Sequence, residues 1–99
     1  MGDYVQFLAE DRRIILLRAL ADQQGYTANE ALLTEFARAR GHVATRDQIR
    51  GDLTWLAEQG LVSVEEIGDL MIAKVTRRGD DVANGRVTHP GVKRPSPEA

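Results

Sequence analysis

Thr45, Arg46, Gln48, Arg50 and Thr54 lie close together in the chain and are of the types that grip or read a nucleic-acid duplex. A guanidinium binds phosphate oxygens or the paired acceptors of a guanine edge, a carboxamide pairs with adenine, and a hydroxyl reaches phosphate. The same stretch carries Asp47, Asp52 and Glu58, which oppose the approach of phosphate. The alternative use of so mixed a set is simply the solvated side of a helix.

Other chemistry is sparse. His42 and His89 stand alone in sequence, and the chain contains no cysteine. No metal-ligand set is therefore assembled, and turn or surface roles are expected for both histidines. Glu65-Glu66 and Asp80-Asp81 are adjacent carboxylates, but neighbours on a strand or helix point in different directions. No glycine-rich phosphate loop and no nucleophile–base motif is present. The expectation is a protein that is not an enzyme and needs no cofactor.

These residues need a helix to present them. Thr45-Arg46-Asp47-Gln48 has the capping-box pattern, in which a threonine and a glutamine three positions on satisfy each other's backbone N–H groups. Ile49, Leu53 and Leu56 then follow core-face spacing. Counting about 100° per residue from that face, the opposite side carries Asp47, Arg50, Gly51, Thr54 and Glu58. Gln48 and Trp55 fall on a flank, where Trp55 is either half-buried or a dimer anchor. Gly60 stops the helix.

Upstream, a long helix is expected from about Asp3 to Gln24, followed by Gly25. Its run Ile14-Ile15-Leu16-Leu17 is apolar all round, so the helix must be covered on more than one side. It is either a central core helix or one whose Tyr4, Phe7, Leu8, Ile15 and Leu16 meet a second subunit. Thr27-Ala28-Asn29-Glu30 repeats the capping-box pattern and predicts a second helix carrying Leu32, Leu33 and Phe36, ending near Arg40-Gly41. The short link to Thr45 suits a helix-turn-helix. Downstream, 61–67 and 70–75 alternate as two strands around Gly68-Asp69, a turn that sets Ile67 opposite Leu70, Glu65 opposite Ile72 and Ser63 opposite Lys74. Thr76 is the expected cap of a last helix, Arg77 to about Asn84.

The predicted order is helix-helix-helix-strand-strand-helix: a mainly α fold with a β-hairpin, of the winged helix-turn-helix type. The predicted domain covers 1–85, and 86–99 forms an extended or disordered tail containing all three prolines. The tail is also the net-positive part, with Arg86, Lys93 and Arg94 against Glu98. Lys93 and Arg94 are thus either accessory DNA contacts or part of a soluble end. The whole chain, at 99 residues and formal charge −2, suits one domain with one modest core and only weak non-specific DNA affinity. No apolar run approaches the ~20 residues of a membrane span, and no secretory signal is evident. The expected location is the cytoplasm.

From about Glu10 to Pro97 the chain resembles a family of small winged-helix proteins of Mu-like bacteriophages and prophages. The residues carrying the resemblance are Glu10-Asp11-Arg12-Arg13, Thr45-Arg46-Asp47-Gln48, Asp52-Leu53-Thr54-Trp55-Leu56, Glu58-Gln59-Gly60-Leu61-Val62 and Pro90-Gly91-Val92-Lys93-Arg94-Pro95-Ser96-Pro97. Members are often labelled arsenic-repressor-type regulators, so the resemblance implies a homodimer that binds double-stranded DNA and regulates transcription. Metal sensing does not carry over, because that type senses metal through cysteines. The alternative is a protein-interaction module that meets a phage or host protein without touching DNA. An acidic wing (Glu65, Glu66, Asp69) beside an apolar set of Ile67, Leu70 and Ile72 fits that alternative.

Overall fold

The computed structural model describes residues 2–96. They form an α+β fold in which helix predominates. The elements are α1 (Gly2–Asp22), β1 (Thr27–Asn29), α2 (Glu30–Ala39), α3 (Arg46–Glu58), β2 (Val62–Ile67), β3 (Leu70–Val75) and α4 (Arg77–Ala83). The sheet is antiparallel, with β3 between β1 and β2.

Strand β1 is an addition to the expected order, and the proposed cap at Thr27 is corrected with it. Thr27, Ala28 and Asn29 pair with Lys74, Ala73 and Ile72, so the threonine lies in a strand and its hydroxyl bonds the Gly25 carbonyl at 2.9 Å. The cap of α2 is Asn29, whose side chain accepts the N–H of Leu32. Asn is as good a cap as Thr, and the cross-strand bonds to β3 decide between them. Three residues are too short to show alternation, so the pattern that reveals longer strands is missing.

The expected box at the start of α3 is present: Gln48 N–H donates to Thr45 Oγ1 at 3.1 Å, and Thr45 N–H to Gln48 Oε1 at 2.9 Å. Ile49, Leu53 and Leu56 are fully buried. The β2–β3 register is also as expected, with Ile67 opposite Leu70, Glu65 opposite Ile72 and Ser63 opposite Lys74. Gly68 adopts φ 61° at the hairpin tip, a conformation that favours glycine. Thr76 caps α4 through the Gly79 N–H at 3.0 Å.

The core lies between the inner sheet face (Val62, Met71, Ala73, Val75) and the helices. Leu16, Leu17 and Leu20 of α1 run through its centre with no exposed surface. The all-apolar stretch of α1 is thus covered mainly by the protomer itself. Leu16 leaves the expected dimer set for that reason. Arg12 binds Asp52 through both carboxylate oxygens, from Nε to Oδ2 and from Nη2 to Oδ1 at 3.2 Å. That pair ties α1 to α3 and corrects the reading of Asp52, which is buried and offers no repulsion to an approaching anion.

Residues 86–96 carry no helix or strand, yet they lie on the body. The Val92 N–H donates to the His89 carbonyl at 3.1 Å, closing a turn with Pro90 and Gly91 in the middle. Pro followed by a left-handed Gly (φ 89°) is the usual content of a type II turn. Gly91 packs so closely on Trp55 that a Cβ there would sit 2.8 Å from the indole. Arg13 also lies over the indole, 3.9 Å from the ring centroid, a cation–π contact. Arg13 also donates to the Gly91 carbonyl at 2.8 Å, and Val92 is buried.

Candidate nucleic-acid interface

The exposed side of α3 is built by its cap and its core face together. With Ile49, Leu53 and Leu56 turned inward, Thr45, Arg46, Gln48, Gly51 and Thr54 are left in solvent. Gln48 uses its Oε1 in the capping box, which leaves its amide N–H₂ for a further acceptor. The β2–β3 hairpin stands beside this face. Its tip contributes Glu66 and Asp69 to a shallow hollow shared with Glu30, Arg46, Asp47 and Arg50.

Glu30 is the centre of that hollow and was not expected there. The capping-box reading places its side chain at the start of α2, accepting a local N–H. Instead the side chain is buried, and its Oε2 accepts the Met71 N–H at 2.5 Å and Arg50 Nη1 at 2.5 Å. Its Oε1 lies 3.4 Å from Arg46 Nε. Arg50 reaches on to Glu66 Oε1 at 2.9 Å and the Asp69 carbonyl at 3.3 Å. Burial raises the Glu30 pKa, but the Met71 N–H and the two guanidinium groups outweigh it and hold the carboxyl below its ordinary value. A clue was present in sequence: Arg46 and Arg50 are four residues apart, so one carboxylate facing α3 can hold both.

The two arginines therefore differ in availability. Arg46 is about half exposed, with a side-chain accessibility of 53%, whereas Arg50 at 29% is held by two carboxylates. Arg50 fastens α3 to the hairpin and to the start of α2.

Lys93 and Arg94 lie elsewhere. They line a groove between α1, α2 and the chain end that shares no residue with the hollow beside α3. Lys93 bonds Asp11 Oδ1 at 3.2 Å, and Asp11 Oδ2 meets His42 Nε2 at 2.7 Å. Burial opposes ionisation of Asp11, but the His42 and Lys93 contacts prevail and lower its pKa. His89 packs edge-on against Trp55, with ring centroids 6.0 Å apart. Its Nε2 is 3.0 Å from Gln59 Oε1. Burial, with Arg78 nearby, lowers its pKa and favours the neutral ring. Among the described residues no cluster of His, Cys, Asp and Glu is suited to a metal ion.

Of the residues assigned to a second subunit, Tyr4 and Phe7 are exposed, Leu8 and Ile15 are half-buried, and Leu16 lies in the core. No described helix is long and apolar enough to cross a membrane.

The fold and this surface define a small α+β protein with a capped, solvent-facing helix and a hairpin at its side. Comparison with known proteins supplies the family. The chain is 48% identical over 92 residues to the uncharacterized protein gp26 of Escherichia phage Mu, covering 93% of this chain and 95% of that protein. It is 37% identical over 76 residues to an uncharacterized protein of Haemophilus influenzae strain Rd, covering 76% of this chain and 74% of the relative. It belongs to the phage Mu gp26 family. No family model and no solved structure matches it.

Proposed function

We propose that this chain is a winged-helix DNA-binding protein of Mu-like phages that acts in transcription control, with α3 as the reading helix. The observation that carries this reading is the solvent-facing N-terminal half of α3, capped at Thr45 and flanked by a hairpin. Strand β1, closing the sheet between α1 and α2, adds to the likeness with winged helices. Arg46, Gln48 and Thr54 are the base- and phosphate-directed groups. Arg50 reaches phosphate only by exchanging Glu66 for it, since the buried Glu30 cannot leave. The arsenic-repressor-type label enters only as a regulatory role, without a metal.

The test is selection of bound duplexes from fragmented phage DNA, followed by gel shifts. Wild type enriches a defined sequence, and Arg46→Ala with Gln48→Ala weakens its binding at least about tenfold, the loss of one good bidentate base contact. Failure of the wild type to enrich any sequence, or equal binding by a folded double variant, refutes the reading. Arg50 is a poor choice for this test because its removal unties the fold.

A second reading has its own support. Both α3 arginines are already paired with carboxylates, and the hairpin carries an exposed Ile67 among Glu65, Glu66 and Asp69. A basic, partly apolar protein segment suits that surface better than phosphate does. Capture separates the two readings: the first expects a duplex sequence to be enriched, the second a stoichiometric protein partner with no retained DNA at low salt.

A further inference from the structure

The first two turns of α1 stand clear of the core. Tyr4 and Phe7 are 69% and 51% exposed, although large apolar side chains grouped this closely ordinarily mark a binding surface. The arm bears Asp3 and ends at Glu10, so it is apolar and acidic. Farther along the same helix lies the groove of about 580 Å³ between α1, α2 and residues 93–96. Ile15, Phe36 and Pro95 give it an apolar lining, and Arg18, Arg40 and Arg94 stand around it. Among the described residues these three arginines make no ion pair. The lining holds two more cations than anions on a chain whose net charge is −2.

Arm and groove are complementary in charge and in apolar character, and α1 contributes to both. Tyr4, Phe7, Asp11, Ile15 and Arg18 recur at spacings of three and four, so they form one stripe down the helix. A helix of 21 residues is about 30 Å long, which leaves room for the arm and the groove on one face. We propose that two copies of this chain pair antiparallel along α1, each arm seated in the partner's groove. Phe7 packs on Ile15 of the partner subunit, and Tyr4 lies over Arg18 of the partner subunit. The arrangement is isologous, so one match is made twice. The two copies of Asp11 come together at the two-fold axis, and each is already compensated by Lys93 and His42. This pairing is independent of whether α3 meets DNA.

The test uses the full chain without nucleic acid. Sedimentation gives twice the 11.0 kDa chain mass for wild type. Phe7→Glu and Arg18→Glu each raise the dimer dissociation constant at least tenfold, with circular dichroism unchanged. Because the chain lacks cysteine, orientation is read directly. Phe7→Cys protein mixed with Ile15→Cys protein forms a disulfide-linked pair, and neither links efficiently to itself. A wild type that stays at the one-chain mass, a dimer indifferent to both charge variants, or Phe7→Cys linking preferentially to itself overturns the proposal.

Discussion

Glu30 shows how one carboxylate can organise three elements. It starts α2, accepts the backbone of β3 and receives two arginines from α3. Removing it leaves the Met71 N–H buried without an acceptor, so Glu30→Ala is expected to cost about 2 kcal/mol in chemical denaturation. The pH dependence has a definite sign. The folded carboxyl has a pKa below its ordinary 4.5, so its contribution is fully present above that value. It is lost as pH falls through the folded pKa. Acid titration of stability should therefore be shallower in Glu30→Gln than in wild type over that window, with an equal slope in both proteins counting against the assignment.

At the level of elements, helix packing leaves little slack. Gly79 of α4 faces the Leu61 carbonyl, and a Cβ there would overlap that oxygen and lie 2.7 Å from a Val75 methyl. Gly79→Ala should thus destabilise by about 3 kcal/mol, read as a lower denaturation midpoint, even though alanine is the better helix former. Local periodicity made most elements legible beforehand: the α3 cap, its buried Ile49, Leu53 and Leu56, and the hairpin register around Gly68. What escaped was non-local. Strand β1 exists because β3 pairs with it, and Glu30 turns inward because Met71 and Arg50 wait there. The exposed set Thr45, Arg46, Gln48 and Thr54 was readable from helical geometry. The tethering of Arg50 was not, because its partners come from two other elements.

Across the whole molecule, residues 91–93 return to the middle of α1. The turn at Pro90-Gly91 rests on Trp55, Arg13 spans from α1 to the Gly91 carbonyl, and the Lys93 N–H donates to the Glu10 carbonyl at 3.2 Å. The closing segment is therefore part of the domain's packing. Gly91→Val should detach it, through both the left-handed φ and the contact with the indole. Burial of Val92 would be forfeited, about 1.5 kcal/mol, and proteolysis near 88–96 should become faster than in wild type. Equal cleavage of both proteins would mean that the turn contributes little.

Trp55 is also the chain's single tryptophan, and it sits directly beneath that closing segment. The molecule thus carries its own optical reporter. Release of that segment would wet the indole where Gly91 packs on it and shift its emission to longer wavelength, while α3 and the sheet remain folded. Fluorescence can then separate the opening of the chain's end from unfolding of the domain, without any added label.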